Sequence, residues 1–490
     1  MNSGLDFGTS TTLVASPSGI VPIGESRAWM PSLVGYDEDG NTLVGENAQD
    51  LTPEQLIRSI KRFITEGKQF VQLDTPTGLR DVRVDDLIAE MLREVARRAP
   101  ILTSTNVMMG CPAMWDGTQR RRLVQAASRA GLNTTLASLV DEPVAAGIAW
   151  LAANPGTGPV RVLVFDMGGG TLDVAVLDVT GDDHYDVAVL AALGVAEAGN
   201  ALDEAIAEDL EFGLAAMGID VAYLPRPRRA RARLLYAAQE AKIALSTETE
   251  IDAKLPRRDF GIASIPYSRE RLNRAFADQM DRAELFVAAA LRVAAVPSGS
   301  GKSARDIARI PVEDLAADVD VVVLSGGMSQ IPYVSERLRE IFPAHIRIVQ
   351  ATSAPENAVA TGLPKVSAYG RTSKYRPAFD IVLEWDEGRQ TRRVYEAYTP
   401  LIEPRQILQG SADLHFIRTG RDLSLPDSGK GTLRVISHAL PVQASLGGAD
   451  LDGFRVALSQ QGFALSLYPD GRIRLTDGAA EYHGQLAGWS

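Results

Sequence analysis

The chain has 490 residues, 45% hydrophobic and 23% charged, which suits a soluble globular protein of two or three domains. Its net charge of -12 argues against nucleic acid as the main partner, and its one cysteine, Cys111, excludes an internal disulfide. Neither an apolar run long enough to cross a membrane nor a secretory signal is present, and the five histidines form no metal-ligand spacing with cysteine, so a cytoplasmic protein without a zinc site is expected.

The opening "SGLDFGTSTTLVA" reads as strand, tight turn and strand, and the DG turn in "PSLVGYDEDGNTLVGENA" continues an antiparallel start. Helices are expected over "TPEQLIRSIKRFI", with a threonine cap and proline at the first position, and over "VDDLIAEMLREVARRA". A strand follows at "NVMMGCPA", then a capped helix, "DGTQRRRLVQAASRAGL", ending at Gly131. "RVLVFDMGGGTLDVAVLDV" repeats the order and chemistry of the opening segment, which predicts two related halves facing one another across a cleft. Helices resume between about residues 198 and 292, a loop "PSGSGKSARD" interrupts, and "DVVVLSGG" is a buried strand before the helix "SQIPYVSERLREIF". Beyond about residue 370 the helical period gives way to short alternating strands, as on either side of the PDG turn in "FALSLYPDGRIRLTD". The expected division is a domain over 1–370, a linker over 371–385 and a small β-rich domain over 386–490.

Three consecutive glycines inside a strand-like run weaken it, so Gly168, Gly169 and Gly170 need a reason to be there. Phosphate is one: it needs backbone N–H donors at close range with no carbon in the way, and Thr171 adds a hydroxyl. Asp6 and Asp166 fall at matching strand ends, and two carboxylates beside a polyphosphate call for a divalent cation, best magnesium. The plain alternative is a pair of glycine turns with solvated aspartates. "GSGKS" at 299–303 imitates a Walker loop but has Val296 where the first glycine belongs, so it reads as a surface loop. The basic run "RPRRARARLL" at 226–235 reads as a solvated helix face.

The ordered segments "GLDFGTSTT", "SIKRFI", "PAMWDGTQRRRLVQAASRAGLN", "VDEPVAAGIAW", "VFDMGGGTLDVAVL", "QEAKIALS" and "VVLSGGMSQIP" resemble the ATPase domain of the seventy-kilodalton heat-shock chaperone (DnaK-type) family, over about residues 3–366. The resemblance implies an α/β fold with two actin-like lobes, Mg-ATP hydrolysis, and coupling of nucleotide state to protein or peptide binding. It implies phosphate contacts from Gly8, Thr9 and Ser10, magnesium held mainly through water by Asp6 and Asp166, and a water-orienting role for Lys61. Glu142 and Asp173 match carboxylates near the metal and the attacking water, and Thr171 a threonine near the γ-phosphate. Gly199, Glu240, Lys242, Ser246, Gly326, Gly327 and Glu356 match positions around phosphate, ribose and base. Pro112 and Arg120 match a proline and an arginine that relay nucleotide state, although Arg120 also reads as one of three arginines on a wet helix face. Cys111 reads as small and buried rather than reactive.

The chain departs from the family at "AGNALD", where only Gly199 and Asp203 match, at Gln330, which replaces an adenine-stacking arginine, and at Glu356, which replaces an aspartate. No acidic-leucine linker is evident, and the C-terminal part is too short for a helical lid; it reads equally as a peptide-binding sheet or as a plain β packing domain. Clients, a J-type cochaperone and an exchange factor are the implied partners. A sugar-kinase-like phosphotransferase and an actin-like scaffold ATPase are the rival readings of the same fold.

Overall fold

Apolar, β-branched runs build two sheets with the same wiring. The computed structural model describes residues 2–52, 54–75, 78–181, 185–296, 304–373, 375–409, 414–439 and 441–487, so the "GSGKS" segment lies outside the described residues. In the first sheet, β1 (Asn2–Phe7), β2 (Thr11–Ser16) and β3 (Gly19–Val21) run antiparallel, and β4 (Asn106–Cys111) and β5 (Leu139–Asp141) add in parallel beyond β1. In the second, β6 (Val160–Met167), β7 (Leu172–Thr180) and β8 (Asp186–Val195) form the antiparallel meander, and β9 (Val321–Ser325) and β10 (Arg347–Gln350) add in parallel beyond β6. β11 (Gly370–Ser373) extends this sheet by pairing in parallel with β8. The echo between the two glycine-turn segments is therefore a structural duplication.

The central strands are buried along nearly their whole length, which is why they read as continuous hydrophobic runs. Between the sheets lies the helix Glu142–Ala153, buried from Glu142 through Leu151. A helix hydrophobic all round belongs in an interior, and this one packs against β6, β7 and the short helix Ala358–Gly362. The two helices meet backbone to backbone, and a Cβ at Gly362 would collide with the carbonyl of Ala145.

The segment "TPEQLIRSIKRFI" is not one helix. Leu56–Arg58 is a strand antiparallel to Leu33–Tyr36, Ser59 takes a left-handed φ of 60°, and only Lys61–Thr65 is helical. Tertiary pairing of Leu56 and Ile57, both buried, overrides a local helical pattern. The helices Val84–Arg98 and Gly117–Arg129 form as expected, the second with a capping box between Asp116 and Gln119 and with Gly131 at φ 82° beyond its end. In the second half, the helices Gly199–Ala216, Pro227–Ala244 and Arg269–Ala295 enclose a hairpin of Glu250–Lys254 and Ser264–Ser268 that helical periodicity did not suggest. Arg231 from the basic run pairs with Glu211 and lies near Glu204 and Glu208, so that face is partly neutralised within its own lobe.

The C-terminal region is two antiparallel sheets. One is ordered Gln390–Tyr395, Phe379–Trp385, Lys430–Ser437, Arg455–Ala457; the other is ordered Phe416–Thr419, Phe463–Leu467, Arg472–Asp477, Glu481–Ala487, Gln443–Leu446, Ala449–Asp450. Alternating residues such as Phe379, Ile381, Leu383, Phe463, Leu465 and Leu467 form their shared core. The stretch 371–385, expected as a linker, carries the end of β11 and a strand of this sandwich, with residues 374–378 between them.

Replacing Gly362 by valine drives a branched side chain into the Ala145 backbone. The expected loss is about 1–3 kcal/mol or more of stability, read by urea denaturation.

Candidate active site

Five ionisable side chains converge where the two sheets meet. Asp6 lies near the end of β1 and Asp166 near the end of β6. Asp173 faces Asp166 across the β6–β7 register, and Glu142 begins the interior helix directly after β5. Lys61 is only 3% exposed and its ammonium forms an ion pair with Glu142. The sequence could not bury this lysine by any local pattern; the turn at Ser59 and the short helix after it carry it inward.

The carboxylates outnumber the lysine, and their protonation shows it. Burial first, then the charge of Glu142, pushes the Asp6 carboxyl up to about 8, against the pull of Lys61, and Asp166 adds to the rise. The same two causes, burial and Glu142, raise Asp166 to about 7. Asp173 is raised well above the carboxylate range by burial, Glu142 and Asp166, with Thr171 and the Ala113 amide opposing. Burial lowers the affinity of Lys61 for its proton, but Glu142 and Asp6 outweigh it, so the ammonium is held above its ordinary value. Asp173 Oδ1 accepts from the Ala113 amide at 2.7 Å, whereas Oδ2 is buried without a hydrogen-bond partner among the described residues.

Two glycine turns close over these groups. Any Cβ at Gly169 would strike Ser10, and one at Gly170 would strike Thr9, so each hairpin occupies the space a side chain on the other would need. A Cβ at Gly8 would meet the Thr11 carbonyl, and Gly326, at φ 79°, sits against the Met167 carbonyl and Asp166. The amides of Gly199 and Asn200 donate to the carbonyls of Gly168 and Gly169 at 3.1 and 2.7 Å, fixing the triplet to the start of the helix Gly199–Ala216. Lys242 pairs with Asp203 at 2.7 Å and donates to the Gly199 carbonyl at 3.1 Å, which binds the second helix to the same turn. Asn200 Nδ2 reaches Ser59 Oγ at 3.1 Å, a hydrogen bond from the second lobe to the first that sequence reasoning missed and no local signal announces.

The remaining predicted residues are placed less centrally. Glu240 is exposed, and Ser246, in the turn just past the end of the helix Pro227–Ala244, donates to the Lys242 carbonyl at 3.2 Å. Gly326 N donates to the Pro355 carbonyl at 3.1 Å, next to Glu356, while Gly327 is exposed. Two of the departures from the family pattern touch: Gln330 Nε2 donates to Glu356 at 3.1 Å. Cys111 is fully buried and its thiol is pushed up to about 12 by burial, so it is a packing residue. Arg120 is no wet helix residue. It is 1% exposed, pairs with Asp141 and lies with its guanidinium 4.6 Å from the Tyr398 ring of the C-terminal region.

Two lobes of like wiring, meeting at opposed glycine turns with paired aspartates beneath, define the actin-like class of α/β fold. The chain belongs to the Hsp70 family: the model for Hsp70 protein matches residues 2–368. It is 29% identical over 396 residues to the chaperone protein DnaK of Thermotoga neapolitana, covering 78% of this chain and 61% of that one. Over 399 residues it is 30% identical to the chloroplastic heat shock 70 kDa protein 6 of Arabidopsis thaliana, covering 73% and 51%. With the chaperone protein dnaK of Cyanophora paradoxa the identity is 27% over 394 residues, covering 73% and 59%. The chain thus spans about three fifths of the length of the DnaK relatives it matches. No helix among the described residues is long and apolar enough to cross a membrane.

Alanine at Gly170 would push Thr9 and the triplet apart. The affinity for a fluorescent ATP analogue is expected to fall about tenfold or more, with the folded spectrum retained.

Proposed function

We propose that this protein binds Mg-ATP in the cleft, hydrolyses it, and couples the two nucleotide states to the binding of a client protein or peptide. The observation that carries the reading is the buried Lys61–Glu142 pair set among Asp6, Asp166 and the half-satisfied Asp173, directly under two glycine turns. Phosphoryl transfer asks a protein mainly for positioning and charge, and the arrangement supplies both.

The residues fit the group the family implies. The absence of side chains at Gly8, Gly169 and Gly170 opens their backbone to the phosphates beside the hydroxyls of Thr9, Ser10 and Thr171, while Gly168 and Gly326, whose amides donate to the carbonyls of Thr171 and Pro355, hold the turns in shape. Two carboxylates, Asp6 and Asp166, suit magnesium, which favours oxygen ligands and keeps several waters. When bound, the ion neutralises charge on the phosphate oxygens. Lys61, held protonated by Glu142 and Asp6, orients the attacking water and stabilises developing negative charge. The unpartnered Asp173 Oδ2 accepts a hydrogen bond from that water, while the Ala113 amide keeps the carboxylate turned. Lys242, Gly199, Gly326 and Glu356 border the ribose and base, with Gln330 hydrogen-bonded to Glu356 in place of a stacking guanidinium. Glu240, Ser246 and Gly327 stand at the rim of this side.

Coupling runs through the helix Gly117–Arg129. Arg121 donates to both oxygens of Asp380 at 2.8 Å and pairs with Glu396, so the sandwich is docked on the ATPase unit by neighbours of Arg120. The family resemblance adds a J-type cochaperone and an exchange factor as partners.

Lys61→Ala is expected to bind ATP but turn it over about 100-fold or more slowly in a phosphate-release assay; an unchanged rate would sink this mechanism. Cation binding also has a definite sign in pH. Asp6 and Asp166 are raised to about 8 and about 7, so at pH 7 the nucleotide-free cleft holds protons that magnesium must expel. Calorimetry of Mg-ATP binding in two buffers of different ionisation enthalpy should show net release on the order of one proton at pH 7, shrinking above pH 8.

A further inference from the structure

A cavity of about 100 Å³ lies between the ATPase unit and the C-terminal sandwich, lined by Arg120, Asp141, Arg371, Arg376, Tyr398 and Val442 among others. That is far more than the roughly 10–15 Å³ one water requires, and it is room for a group of several heavy atoms. Its charge is unbalanced. Three guanidiniums line it against one carboxylate, Asp141, and that carboxylate is engaged by Arg120. Arg371 has no ion-pair partner within 4 Å among the described residues. Arg376 is 4% exposed, and its Nη1 donates to the carbonyls of Trp115 and Tyr398 at 2.7 and 3.2 Å. Its Nε, in the same cavity wall, is buried with no partner among the described residues. A buried donor without a partner costs about 1–3 kcal/mol, more when the group is charged, so such a group points to something that binds there.

We propose that this cavity is a binding site for a small dianionic oxyanion of the size of phosphate. Two uncompensated guanidiniums set the charge, and the planar fork of arginine matches paired oxygens better than it matches halide. Burial also lowers the proton affinity of Arg371, as expected of a cation short of negative charge. The site is composite. Arg120 and Asp141 come from the first lobe, Arg371 from β11 at the edge of the second sheet, Arg376 from the segment between the units, and Val442 from the sandwich. An anion held there ties all of these together, and the proposal stands whether or not the cleft hydrolyses ATP.

The test is titration calorimetry of sodium phosphate into the full chain saturated with Mg-ADP, against sodium chloride at equal ionic strength. Phosphate should bind the wild-type protein, Arg371→Met should weaken binding by about tenfold or more, and Lys61→Ala, altered only in the cleft, should keep it. Arg371→Lys, which preserves charge and stem, serves if the methionine variant does not fold; losing the fork should weaken phosphate several-fold. Binding that survives both Arg371 substitutions, binding abolished by Lys61→Ala but not by the Arg371 variants, or phosphate heats no larger than chloride would each overturn the proposal.

Discussion

Four carboxylates and one ammonium are buried together at the base of the cleft, and the rest of the structure is arranged around that imbalance. Burying charge is costly unless partners are supplied, and Lys61 supplies one where Asp6, Glu142, Asp166 and Asp173 need more. The fold can hold them there because each sits at the end of a rigid element: β1, β6, β7 or the interior helix. Positioned this way they cannot relax apart. Raised this way, Asp6 and Asp166 retain protons near neutral pH, so under the proposed reading a cation arriving there would exchange with them.

A single peptide bond connects this site to the domain interface. Asp141 and Glu142 are adjacent, yet Glu142 pairs with Lys61 in the cleft while Asp141 pairs with Arg120 beneath the sandwich. Arg120 and Arg121 divide in the same manner. Successive residues of a helix point about 100° apart, so one guanidinium goes inward to Asp141 and Trp115, and the next goes across to Asp380 and Glu396. On the sandwich side Asp380 also meets His438 at 2.9 Å. Burial alone would raise this carboxyl, but His438, the Ala397 amide and Arg121 together hold it down to about 2, so it stays ionised in the docked state. The docking surface around Arg121 is therefore polar and charged, whereas Ile402, Ile407 and Leu414 of the C-terminal region are buried in the apolar core of the second lobe.

Much of the first 370 residues was legible because its chemistry is local. A glycine triplet within a strand, an aspartate before it, a capped helix and a hairpin turn each leave a mark within a few residues. What was not legible depends on distant pairing. The strand Leu56–Arg58 looks helical until its partner Leu33–Tyr36 is known, and Arg120 looks solvated until Tyr398 is placed 4.6 Å from it. Lys61 was reached through family resemblance, since nothing in its own segment foretells burial. Asn200 and Ser59 escaped notice because a hydrogen bond between lobes has no sequence period. The link between Gln330 and Glu356 could have been suspected, as both depart from the family at once.

β11 leaves the second sheet already hydrogen-bonded to β8 along Gly370–Ser373, and from Phe379, six residues on, the chain is a strand of the sandwich. The two units are thus joined as a handle is joined to a blade. A few degrees of twist in the second lobe would move β11 with the ladder it is paired to. In a protein joined by a loose tether, the appended domain would learn of the cleft by diffusion and collision; under the proposed coupling, the paired strands of this chain would steer it.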